Sequence, residues 1–146
     1  MTRKGTVSKV LELKGFEQEQ LEAEVKKTND RLKTEMAKLE DLEKRSIDME
    51  GKFKSGQEGG RLDIAAVGLF YDYLSYLDRQ IEEQKRVVFR LYAEFERRKN
   101  DMIEAYKEKK IFEKFRDKIV HEDDRQALIV EQNEADYNYI SKRLRK

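Results

Sequence analysis

The chain has no cysteine, no proline and no tryptophan, and only one histidine. Without cysteine there is neither a disulfide nor a thiolate metal site, and no redox compartment is indicated. His121 has no second histidine at i+4 or elsewhere. Its neighbours Glu122-Asp123-Asp124 lack the alternating ligands and the glycine of a calcium loop. His121 therefore reads as a solvated helix residue. Long apolar runs are missing as well, and Met1 to Val7 holds none of the length of a signal peptide or membrane span. Nor does one sign of charge dominate. The net charge is +1 with both signs interleaved, which is no footprint for wrapping nucleic acid. Glycine is scarce, and neither Gly51-Lys52-Phe53 nor Gly56, Gly59 and Gly60 leads into the Gly-Lys-Ser/Thr of a phosphate loop. The expectation is a cytoplasmic protein with no cofactor, no metal and no enzymatic activity. The missing proline has a further consequence, since nothing forces a long helix to stop.

What is present is a repeat. Leu74, Leu77, Ile81, Val88, Leu91, Phe95, Met102, Ala105, Phe112 and Ile119 fall three and four residues apart, with Gln84, Arg98, Lys109 and Arg116 filling the gaps. A 3.5-residue period keeps one seam of a helix against a partner along its length. A weaker ladder precedes it: Val7, Leu11, Lys14, Gln18, Leu21, Val25, Thr28, Leu32, Glu35, Leu39, Leu42, Ser46, Met49 and Phe53. With 43% charged and 38% hydrophobic residues, the chain can bury a narrow stripe but not a compact globular core. The ordered heptad argues against the disorder that such a composition otherwise suggests.

Between the ladders lie Gly51 and Ser55-Gly56-Gln57-Glu58-Gly59-Gly60, a stretch suited to a reversal, followed by Asp63 as helix N-cap. The expected fold is all-α: a two-helix antiparallel coiled-coil hairpin forming one domain over residues 1–146, with helix 1 at about 7–54, the reversal at 55–62 and a longer helix 2 at 63–143. A fold-back near residue 58 makes facing residue numbers sum to about 116, since both helices rise equally per residue. Leu42 then faces Leu74, Leu39 faces Leu77, Val25 faces Leu91, Leu21 faces Phe95, Leu11 faces Ala105, and Gln18 meets Arg98. The polar layers at Gln18, Glu35, Gln84 and Arg98 are expected to fix register at a cost in stability.

That arithmetic exhausts the first arm near residue 109 and leaves 110–146 projecting, ~55 Å of helix. The overhang carries Ile111, Phe112, Phe115, Ile119, Val120, Leu128, Ile129, Val130, Tyr137, Tyr139, Ile140 and Leu144. An unpaired apolar stripe marks a contact surface, either for self-association or for another protein. The cluster Phe70-Tyr71-Asp72-Tyr73-Leu74-Ser75-Tyr76-Leu77 exceeds one stripe. Its tyrosines either thicken the core near the reversal or face outward as anchors for a partner. Lys107, Lys109, Lys110, Lys114, Arg116 and Lys118 are balanced by Glu104, Glu108, Glu113 and Asp117 at helical spacing, so a solvated face is favoured over single-stranded nucleic acid. The closing Lys142-Arg143-Leu144-Arg145-Lys146 suits a helix C-terminus.

These residues resemble a family. Val10-Leu11-Glu12-Leu13-Lys14 with Glu17, Glu19 and Leu21, the reversal near Gly59-Gly60, and Leu77-Asp78-Arg79-Gln80-Ile81 look like the FliJ family of flagellar type III export proteins. So does the tail, with Glu113, Lys114, Arg125, Glu131-Gln132, Glu134, Asp136 and Arg143. The resemblance implies a non-enzymatic coiled coil similar to the central stalk of rotary ATPases. Its implied partners are the flagellar export ATPase ring, the export-gate membrane protein and export chaperones, with no nucleic acid. The implied location is the cytoplasmic face of the membrane at the flagellar base, reached only through partners. By the resemblance, the ATPase-facing end comprises the N-terminus and the overhang, with Ile111, Phe112, Phe115 and Ile119 as candidate contacts. The family's gate-binding pattern falls on Tyr73, Leu77, Gln80 and Gln84, with glutamines where the pattern has a small residue and a histidine. The alternatives are a stalk protein of an injectisome secretion system and a generic coiled-coil tether.

Overall fold

The structure, a computed structural model, describes residues 2–58 and 63–145. Two helices, α1 (Arg3–Glu58) and α2 (Ile64–Leu144), pack against each other as an all-α helical hairpin. Both starts are capped by side chains. The Thr2 hydroxyl accepts from the Gly5 N–H at 3.1 Å, and the Asp63 carboxylate accepts from the Ala65 N–H at 3.2 Å, as its position ahead of the apolar run predicts. Lys142 and Arg143 lie in the last turn of α2, where the helix dipole favours cations.

Two compact units divide the chain: Leu21–Asp101, and Met1–Gln20 joined with Met102–Lys146. In the Leu21–Asp101 unit, every expected seam position from Leu21 to Phe53 and from Leu74 to Arg98 is buried or half-buried. Leu32, Leu77, Ile81 and Leu91 form its driest layers, and Leu77 is 1% exposed. The polar interruptions are bonded. The Gln84 amide donates to the Glu35 carboxylate at 2.6 Å and to the Glu35 carbonyl at 2.8 Å. Arg98, expected opposite Gln18, donates to Glu24 at 2.7 Å and to Glu94 at 3.1 Å. The buried Thr28 hydroxyl returns its proton to the Glu24 carbonyl one turn back, at 2.8 Å. Gln84, Arg98 and Thr28 thus keep partners, which limits the penalty of placing them in an apolar seam.

The Gln84 bond, and after it the one from Lys38, holds the Glu35 carboxyl below the usual carboxylate range. A lowered folded-state value contributes stability above the unfolded value and loses it as the pH falls through the folded one. Gln84→Leu is therefore expected to lower the melting temperature at neutral pH, and the gap from wild type to narrow in melts at about pH 3. A gap independent of pH would show that the hydrogen bond contributes nothing through Glu35 ionisation.

In the other unit, Val7, Leu11 and Ile119 form a small core with Phe112 packed against it. The Lys14 ammonium lies 2.7 Å from Glu108 and 5.7 Å from the centre of the Phe112 ring. The Glu108 hydrogen bond raises the Lys14 pKa above its ordinary value against the opposing effect of desolvation. Arg3 reaches Glu122 and Asp123 at 3.6 and 3.9 Å, exposed contacts of little energetic weight.

The register differs from the sequence expectation by about one heptad. In the first unit the pairs 35/84, 24/98 and 53/70 sum to 119, 122 and 123. In the second, 14/108 sums to 122 and 14/112 to 126, not to 116. The cause is where α1 ends. It runs on through Gly51, Ser55 and Gly56 to Glu58, so the fold-back is centred later than residue 58. Open space surrounds the position of a Cβ at Gly51 and Gly56, so these glycines only cost helix propensity, about 1 kcal/mol each. Phe53 stacks on Phe70 with ring centres 4.0 Å apart and meets the edge of Tyr71 at 6.0 Å. Such contacts offset that cost and hold the last turns of α1 in place. Gly59 and Gly60, read as part of the reversal, lie outside the described residues.

Candidate partner-binding surfaces

The later register moves the boundary of the unpaired segment. Phe112 is half-buried and Ile119 only 2% exposed, both against Val7 and Leu11. These two residues belong to the hairpin seam, not to the free stripe on which they were expected. Ile111 and Phe115 remain exposed, at 66% and 50%. Phe115 closes an open recess with Arg3, Thr6, Val7 and Ile119 at the start of α1.

From His121 onward every described residue except Ser141 is exposed. The heptad nevertheless continues in phase from Ile119 through Val130, Tyr137, Ile140 and Leu144, broken by Asp123, Gln126 and Asn133. Val130, Tyr137, Ile140 and Leu144 are 53–81% exposed. This is a seam with no facing helix among the described residues, on a segment spanning about 37 Å.

The tyrosine cluster divides as well. Tyr73 and Tyr76 stack at 6.3 Å on the outer surface, 38% and 51% exposed. Leu77 lies in the driest layer, Gln80 is half-buried, and Gln84 is bonded to Glu35. Of the four residues of the gate-binding pattern, Tyr73 alone presents an open aromatic ring. Tyr76, one turn further, was read from the sequence as off the seam but was not among the candidate gate contacts. Phe89 was missed. At 73% exposure it stands among Lys85, Arg86 and Arg90, and an apolar ring at an outer heptad position was its signal.

Among the described residues no helix is long and apolar enough to cross a membrane, and no cluster of three acidic, histidine or cysteine side chains is placed to hold a metal ion. The family model described as flagellar FliJ protein matches residues 3–141.

The chain belongs to the FliJ family.

Comparison with curated proteins and comparison with solved structures gave no match. The FliJ match takes in nearly all of α1 and α2, including Tyr73, Tyr76 and the stripe from Val130 to Ile140 but not Leu144. Membership in the FliJ family, a non-catalytic flagellar family, gives the chain a role connected with flagellar protein export.

Proposed function

We propose that this FliJ-family chain is an adaptor of the flagellar type III export apparatus, binding the export ATPase ring at one surface and the export gate at another, and escorting export chaperones at the cytoplasmic face of the flagellar base. The observation that carries the reading is the in-phase apolar stripe of Val130, Tyr137, Ile140 and Leu144, which continues a coiled-coil seam into solvent. A seam of that kind recognises helices by supplying knobs for their holes. Ile111 and Phe115 extend the candidate ATPase surface, while Phe112 and Ile119 support it from the core. For the gate, Tyr73 with its stacked neighbour Tyr76 is the candidate anchor, and Leu77, Gln80 and Gln84 hold the helix beneath it.

The test is binding of the full chain to a purified flagellar export ATPase, beside a Tyr137→Ala, Ile140→Ala, Leu144→Ala variant. These side chains make no core contact, so helicity and melting temperature should hold while affinity falls by at least about 100-fold, the loss of three interface anchors. Equal binding by both proteins would remove this stripe from the proposal. No binding by either would remove the ATPase.

A further inference from the structure

The outer face of α2 carries two surfaces that the proposed adaptor role does not use, and they match each other. On the first, Phe89 is 73% exposed and shares an open surface with Glu82, Lys85, Arg86 and Arg90. The acids one turn away are engaged elsewhere, Glu82 with Lys85 at 3.6 Å and Glu94 with Arg98 at 3.1 Å. Neither Arg86 nor Arg90 makes an ion pair with another described residue; Glu83, also within helical reach of Arg86, makes none either.

The second surface is on the exposed segment after Val120. Leu128 is 65% exposed, with Asp124 and Glu131 at i−4 and i+3 and Arg125 at i−3, while Glu134 lies further round the helix beside Val130 and Tyr137. None of these three acids has a lysine or arginine three or four residues away, so the intrahelical pairing that neutralises most of this chain's charge is missing here. This face is turned away from the Val130, Tyr137, Ile140 and Leu144 stripe.

We infer that the chain self-associates, with the Asp124–Leu128–Glu131 face of one copy docking on the Arg86–Phe89–Arg90 face of another. The occupant is a second copy because each surface is an exposed apolar residue with an excess of one sign of charge about it, positive around Phe89 and negative around Leu128. Two anchors that meet shed water together, and the guanidinium groups then reach carboxylates that have no lysine or arginine three or four residues away. Each chain carries both surfaces. Reciprocal docking therefore closes a dimer, and one-sided docking extends a chain of copies.

Charge reversal tests this without a foreign ligand. Sedimentation of the full chain from about 10 to 500 µM should show concentration-dependent association. It should weaken severalfold as salt rises from about 50 to 500 mM, because exposed pairs are screened. Arg86→Glu with Arg90→Glu, and separately Asp124→Lys with Glu131→Lys, should each reduce association at least tenfold while leaving helicity unchanged. An equimolar mixture of the two variants should recover it, since each then meets opposite charge on both surfaces. Phe89→Ser is expected to weaken association without altering its salt dependence. A monomeric wild type, variants that associate as the wild type does, or a mixture that fails to recover would each overturn the inference. Association of the variants through the apolar stripe alone would do so too. Binding to the export ATPase is read separately, so failure here leaves the adaptor proposal standing.

Discussion

Leu77→Ala is expected to destabilise the Leu21–Asp101 unit by about 2–5 kcal/mol, the range for deleting a fully buried leucine side chain. At 1% exposure Leu77 is the most enclosed large side chain among the described residues. The loss comprises the transfer energy of three carbons and the cavity left behind, and a two-helix seam has few neighbours able to fill it. Urea unfolding followed by circular dichroism measures it; a change below about 1 kcal/mol would place Leu77 outside the core. Tyr73→Ala, on the open side of the same helix, should cost no more than about 1.5 kcal/mol, the scale of one aromatic stack. The contrast matters for the gate proposal. Lost gate binding in a Leu77 variant reports on folding, whereas loss in a Tyr73 variant with unchanged melting reports on contact.

The second large effect is expected from Ile119→Asp. Ile119 is 2% exposed among Val7, Leu11 and Phe112. An unpaired charge cannot stay in that core, so the cluster must open, at a cost of several kcal/mol. The first turns of α1 depend on this cluster for their apolar contact. They should lose hydrogen-exchange protection over residues 3–14, while Leu21–Asp101 keeps its own. Unchanged protection at residues 3–14 would show that another contact secures the start of α1. Phe115→Ala, on the exposed side, should leave the protection intact.

Periodicity carried most of the fold because a seam is a one-dimensional pattern. Thr28, Glu35, Ser46 and Gln84 are polar, yet their place in the repeat was enough to put them against the facing helix. Register was harder to read. A heptad matches itself when shifted by seven, so only the end of α1 could decide it, and that end depends on Phe53 meeting Phe70 across the fold-back. Gly51 and Gly56 suggested an earlier stop because propensity takes no account of such a contact. The same shift explains the candidate sites. Phe112 and Ile119 were legible as apolar, but whether an apolar residue faces a partner helix or water depends on where the first arm starts. Leu77 and Gln84 were placed on the gate-binding surface by family pattern, while the heptad already held both in its core. Phe89 was overlooked because outer positions of a charged helix are ordinarily featureless, and Leu128 was grouped with a stripe from which it faces away.

The bare segment after Val120 has a thermodynamic consequence for whatever binds it. A helix of that length without a neighbour is marginal in water, held by its continuation from α2 and by the cations in its last turn. Part of any partner's binding energy is therefore spent completing the helix, and affinity is coupled to a helix–coil equilibrium. Residues that touch nothing, such as Asn138 or Asp136, thereby become determinants of affinity through their helix propensity alone. The strength of the contact is set in part by the chain's own readiness to be helical before the partner arrives.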